Sequence, residues 1–232
     1  FNGFKDDGTG TIKVTWSKGD KIYVGFDSPR TEFTLEGEGG SAAGTFVNDS
    51  YDGELNNQWA YYMGSDDESV YFSNQVHTGN DNTDHLSEYN CMEGQIVGNS
   101  TDGYTIAFSP RTILIKFLLT LPDTYEETET LHSLTFAASR SCFVHNMSTN
   151  VTNSANETKL SLSEVTPEEK KVVAYMMLSL NTYGSSYTIP AGETLTVTLI
   201  GSRNTYTYTA TVGADGLTYT LGEAYVAKIG AT

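Results

Sequence analysis

The side chains able to hold or transform a ligand are few, and their spacing decides what they offer. His85, Glu88, Cys91 and Glu93 bring an imidazole, two carboxylates and a thiol into close succession. Those are zinc donor types, but the spacing fits no closed zinc site, and the stretch reads as a polar loop. Asp81-Asn82-Thr83-Asp84 supplies oxygen donors without the glycine and terminal glutamate of a calcium loop. Gly39-Gly40-Ser41-Ala42-Ala43-Gly44 misses the nucleophile-elbow spacing by one residue and lies between strands. His77, His132 and His145 are scattered. Trp59, Tyr61 and Tyr62 offer flat rings on which a sugar could stack. Alternation sends Trp59 and Tyr61 to one face and Tyr62 to the other, so part of the set belongs to a core. A glycan-stacking site on these three is the alternative to a purely structural role. No catalytic residue, metal ligand or cofactor site is expected.

The first half must position these residues on short strands. Trp16-Ser17-Lys18-Gly19-Asp20-Lys21-Ile22-Tyr23-Val24 is the stretch around which it is organised. Ile12, Val14 and Trp16 alternate with Lys13 and Thr15, and Ile22, Val24 and Phe26 resume the alternation, the period of half-buried strands. Gly19 tolerates positive φ and Asp20 can bond its own backbone, so the pattern predicts a hairpin with strands over 11–16 and 20–26. Strands follow at 31–36, Thr45 to Val47, Trp59 to Tyr62, Val70 to Phe72 and Tyr104 to Phe108. Phe1 to Gly10 and Ser65 to Ser69 read as loose or turning segments. Asn74 to Asn90 has no clear period, and a loop of that length is either functional or badly ordered.

The second half opens at Pro110. Ile113, Ile115, Phe117 and Leu119 line one face of a strand, and Leu114 and Leu118 the other, which predicts a central strand buried on both sides except around Lys116. Leu134 and Phe136, then Phe143 and Val144, mark further strands, and 146–156 reads as a polar loop. Thr166-Pro167-Glu168-Glu169 has the form of a helix start, with a capping Thr, Pro at the first helical position and Glu three after the cap. It predicts about one helical turn before a strand over 172–180. Leu195, Val197 and Leu199, and Tyr206, Tyr208, Ala210 and Val212, alternate with threonines around a Gly201–Asn204 turn, a hairpin. Leu217 to Tyr219 and Tyr225 to Ile229 close the chain. The expected fold is all-β, as two tandem sandwich domains over 1–109 and 110–232.

The chain has 232 residues and a formal net charge of −16. That charge repels nucleic acid and anionic membrane alike. Cys91 and Cys142 fall in different expected domains, and a chain this long does not need a bridge, which favours free, partly buried thiols over a disulfide. No apolar run reaches the roughly 18 residues of a membrane span, the nearest being Thr112 to Leu121. Phe1 reads as a mature or trimmed start. Asn48, Asn99, Asn146, Asn150 and Asn156 head glycosylation-type triplets, which an Asn- and Thr-rich chain produces by chance.

Taken in order, several segments resemble the fimbrillin-like family, the type V pilin and fimbrial lipoproteins of anaerobic Gram-negative bacteria. They are Trp16 to Ile22, Gly44-Thr45-Phe46, Ala60-Tyr61-Tyr62, and Tyr89-Asn90-Cys91-Met92-Glu93-Gly94. Phe108 before the strand Ile113 to Leu119, Ile189-Pro190-Ala191-Gly192-Glu193-Thr194-Leu195 and Gly222-Glu223-Ala224-Tyr225 complete the set. Trp16, Gly19, Asp20, Ile22, Phe46 and Tyr61 are the motif positions, with structural roles. The resemblance implies transthyretin-like sandwiches and export as a lipoprotein to the outer membrane and cell surface. It also implies a non-enzymatic place in a fimbria as stalk, anchor or tip, built by intersubunit strand complementation. The implied partners are other fimbrial subunits and a host or bacterial surface ligand, with membrane contact only through a lipid anchor absent from this chain. None of Arg30, Arg111, Arg140 and Arg203 precedes Trp16, where the family is processed.

Overall fold

The computed structural model describes residues 5–6, 12–25, 30–64, 69–148, 152–182 and 184–230. The protein is all-β. In chain order its strands are β1 (Lys5–Asp6), β2 (Ile12–Lys13), β3 (Lys21–Val24), β4 (Thr31–Leu35), β5 (Phe46–Val47), β6 (Trp59–Tyr62), β7 (Ser69–Tyr71), β8 (Gln75–Thr78), β9 (Met92–Asn99), β10 (Gly103–Ile106) and β11 (Ser109–Pro110). They continue as β12 (Ile113–Thr120), β13 (Leu131–Ala138), β14 (Phe143–Ser148), β15 (Thr152–Ala155), β16 (Glu157–Ser163), β17 (Lys171–Leu178), β18 (Ser186–Ile189), β19 (Thr194–Gly201), β20 (Thr205–Thr211), β21 (Leu217–Thr220) and β22 (Ala224–Gly230). Among the described residues two 3₁₀ helices, Phe72–Asn74 and Asp84–Tyr89, stand before and after β8.

The first half is one antiparallel sheet in the order β10-β9-β6-β3-β4-β5, with β11 also on β9. Its inner face buries Trp16, Ile22, Val24, Phe33, Leu35, Ala60, Tyr62 and Ile96. The second half stacks the sheet β17-β12-β22 on the sheet β20-β19-β13-β16-β8. Phe117, Leu134, Phe136, Phe143, Leu160, Met176 and Leu199 fill the space between. The central-strand expectation holds, except that Leu118 as well as Lys116 is only partly buried. β12 lies between β17 (antiparallel) and β22 (parallel). Ile113, Ile115, Phe117 and Leu119 enter the sandwich core, while Leu114 joins Tyr61, Phe72, Leu86, Cys91, Tyr175 and Met177 in a third core on the opposite face.

That third core crosses the expected division at residue 109. β7 pairs with β14, and β8 pairs in parallel with β16, so residues from the first half extend two sheets of the second. The predicted hairpin around Gly19 is not formed. Ser17 to Asp20 do make the turn, with Asp20 N–H donating to Ser17 O, but the segment before it leaves the sheet. Trp16 bonds instead to the 39–41 loop, β2 pairs with β1, and β3 takes β4 and β6 as neighbours. Phe26, most of residues 1–11 and 65–68 lie outside the described residues.

The helix start at Thr166 is a β-turn. Glu168 and Lys171 exchange both backbone hydrogen bonds, and Glu169 and Lys170 sit at φ 50 and 60 between them. The apolar run after the turn pairs along β12 for its whole length, and that burial outweighs a local capping signal. The expected polar loop over 146–156 is largely the β14–β15 pair. β9 and β16 go beyond the strands legible in sequence. β9 conceals its alternation because Gly94 occupies an inward position, where a Cβ would meet Ala107 O at 2.6 Å.

Candidate functional site

The feature most suited to binding is an open groove of about 790 Å³ over the first-half core. Trp16 forms its floor. Its indole meets Phe46, Tyr62 and Phe108 edge-on, at 4.9, 5.2 and 5.7 Å between centroids. The glycine-rich 36–44 segment holds that ring. Trp16 N–H donates to Ser41 O and Gly40 N–H to Trp16 O. Gly39 lies at φ 79, and a Cβ there would collide with the Trp16 carbonyl. The near-elbow sequence thus serves as a collar for an indole. The Ser17–Asp20 turn fixes the approach, with Ser17 N–H donating to the Asp20 carboxylate at 2.7 Å and Gly19 at φ 84.

Val14, Ile22, Val24, Phe33, Leu55, Met92, Ile96, Tyr104, Ile106 and Phe108 continue the walls, with Ala42 and Ala43 at the rim. Among the described residues, the ionisable side chain of the lining is Tyr104. Its hydroxyl donates to the Glu54 carboxylate at 2.7 Å, which raises the phenol and lowers the carboxyl from their ordinary values. Apart from Tyr104, Thr45 and Thr105, the side chains of that wall are apolar. It can bury apolar side chains, and β5 and β10 end the sheet on either side of it among the described residues. Tyr104, Ile106 and Phe108 alternate with Thr105 and Ala107, so their inward face was legible; that the groove stays open was not.

The motif positions separate between two cores. Trp16, Ile22 and Phe46 line the groove, Gly19 and Asp20 make the turn, and Tyr61 points through the sheet into the third core. Tyr61 and Tyr62 are 6% and 2% exposed, and Trp59 is half-buried against the third core. The alternation reading of these three rings therefore holds, and the two tyrosines spend their faces on packing.

The loop donors are also dispersed. The Arg111 guanidinium bonds Glu93 at 2.6 Å, and Glu88 is exposed. Cys91 and Cys142 are free and buried, and burial pushes both thiols up to about 12. Among the described residues no three His, Cys, Asp or Glu side chains cluster as a metal site, and no helix is long and apolar enough to cross a membrane. His85 instead stacks edge-on against His77, at 5.3 Å between ring centroids. Sequence spacing hid this pair, because one ring is on β8 and the other in the 3₁₀ helix Asp84–Tyr89, and β17 brings them together.

No family model matches the chain, and no curated protein matches it in sequence. Among the solved structures similar to it are three, each named a "putative cell adhesion protein". The one from Bacteroides uniformis has a TM-score of 0.49 and 13% identity over 94% of this chain and 88% of its own. The one from Bacteroides ovatus has 0.47 and 14% over 96% and 87%. The one from Bacteroides fragilis has 0.40 and 11% over 94% and 81%.

Proposed function

We propose that this chain is a non-enzymatic subunit of a cell-surface fimbria, a stalk, anchor or tip protein exported as a lipoprotein, which joins its neighbours by taking an extended segment into the Trp16 groove. The groove is the observation that supports this reading. Its lining is mostly apolar, and the strand at each side of it has an outer edge left unpaired among the described residues. An added strand of five or six residues spans about 17–20 Å, puts alternate side chains into the groove and bonds its main chain to the free edge of β5 or β10. Apolar burial would supply affinity, and the alternation would fix register. A surface of this kind assembles without chemistry, and an adhesive face toward a host or bacterial ligand would be added on top of it.

Ala43 stands exposed at the rim, so Ala43→Trp plugs the groove without replacing a core side chain. The precursor is expressed in a fimbriated host, and sheared filaments are probed by immunogold. Wild-type protein should label filaments, their tips or their bases, and Ala43→Trp should not, with an unchanged thermal melt. Absence of the wild type from filaments, or equal incorporation of the plugged variant, would refute the proposal.

A further inference from the structure

β17 is an edge strand. β12 pairs with one side of it, and the backbone groups of Val173, Tyr175 and Met177 face outward on the other. A long edge of this kind invites a foreign strand. Here side chains from one short segment, residues 75–85, occupy it. Gln75 clamps Met177, donating to its carbonyl at 2.7 Å and accepting from its N–H at 2.8 Å. His85 Nε2–H donates to Tyr175 O at 3.1 Å, and His77 Nε2–H to Val173 O at 3.2 Å. Asn80 Oδ1 accepts from Val173 N–H at 2.7 Å, and Asp81 N–H adds a second bond to Val173 O. The segment with no sequence period is therefore a strap, whose side chains take the place of a neighbouring strand.

Two of the three outward carbonyls depend on imidazoles that must carry their proton on Nε2. Each Nδ1 is then a lone pair, and both Nδ1 atoms are buried without a hydrogen-bond partner. A second proton could only go there. It would place a cation at a buried nitrogen with no hydrogen-bond partner, beside the other ring. We propose that the 75–85 strap is an acid-releasable cover over the β17 edge, with the His77–His85 pair as its sensor.

The surrounding charges do not cancel this. Burial lowers both imidazoles from their ordinary value, His85 to about 4. His77 adds to the effect on His85, and Asp84 opposes it. Asp81 and the backbone at Gly79 oppose it for His77 without winning. From β17 and β12, Tyr175 and Lys116 are engaged with Asp81, the hydroxyl at 2.6 Å and the ammonium at 3.5 Å. Tyr89 lies against His85, with 6.4 Å between ring centroids, and its phenol is raised by burial. β16 puts Leu160, Ser161, Leu162 and Ser163 opposite residues 75–78, none of them titratable.

The sign follows. A released imidazole takes a proton near its ordinary value of about 6.5, and a strapped one only below it. As pH falls through that window the open form gains protons that the closed form refuses. Each histidine then raises the open-to-closed ratio by up to about tenfold per pH unit.

Hydrogen exchange at the Val173 and Met177 amides tests this in the intact chain, with Ile115 as the sheet-interior control. After correction for intrinsic exchange, opening at those two amides should rise steeply from pH 7 to pH 5 while Ile115 stays protected. The variant His77→Gln/His85→Gln keeps an amide donor in place of each Nε2–H and should lose the pH dependence. If it does not fold, nitrogen NMR of the wild-type imidazoles gives the same answer. Both rings should be Nε2–H tautomers that titrate below their ordinary value, His85 the lower of the two. Flat exchange at Val173 and Met177, pH dependence surviving in the double variant, or imidazoles titrating near their ordinary value would each overturn the proposal.

Discussion

The Trp16 core and the Phe117 core are built from the same threonine- and tyrosine-rich alternation, yet they close differently. Phe117 lies between two stacked sheets and is fully buried. A gap of about 490 Å³ remains there toward the edges of β20 and β22. Trp16 lies on a single curled sheet, and the glycine collar over 36–44 covers one side of it. The larger groove opens where a second sheet would stand. The difference teaches that inward alternation alone does not seal a sandwich; a second layer must be supplied, and the first half leaves room for one to arrive.

The largest expected effect is in the sealed core. Phe117→Ala removes a ring gripped from two sheets and should cost about 3–5 kcal/mol, read by chemical denaturation. Trp16→Ala should cost less, about 2–3 kcal/mol, because the groove is already open and the residual cavity adds little. Equal losses for the two variants would break the comparison.

A second contrast lies within the sealed half. The Glu129 carboxylate is 3% exposed and accepts from Tyr206 O–H, Asn204 N–H, Asn204 Nδ2 and Arg203 N–H, closing the β19–β20 turn. Burial pushes this carboxyl up, but those hydrogen bonds prevail and hold it below its ordinary value. Its contribution is therefore complete above the unfolded value of about 4.3 and lost as pH falls through the folded one. Glu129→Gln should cost about 1–3 kcal/mol near neutrality and flatten the acid limb of the stability profile.

Gln75→Ala should cost about 1–2 kcal/mol and deprotect the Met177 amide, since two bonds to the β17 edge vanish together. The smallest effect has the opposite sign. Glu169→Asn puts a residue tolerant of φ 50 into the 168–171 turn and should gain about 0.5–1 kcal/mol in thermal unfolding.

Much of the candidate site was readable as a face. Ile22 and Val24 alternate with Tyr23, and Ile106 and Phe108 with Ala107, so these groove residues were identifiable as inward before any partner was known. The collar was not, because a glycine loop states permission to turn and says nothing of the indole it surrounds. β9 was invisible for a related reason: Gly94 and Gly98 replace the apolar residues that would have marked its period, and both lie where the neighbouring chain leaves no room for a Cβ. The capping signal at Thr166 was real as a local preference and lost to the pairing of β17 along β12.

The sequence by itself determined that this is a β protein. It also determined which side chains face inward along β12, β19 and β20, and that β12 would be buried on both faces. A period of two is set within a few residues and survives any arrangement of neighbours. Tertiary structure alone decided that β7 and β8 would join β14 and β16, that Tyr61 and Tyr62 would serve different cores, and that Gln75, His77 and His85 would cap β17. Those contacts join residues far apart in the chain through backbone groups every residue carries. No local pattern can say in advance which partner a strand edge will find.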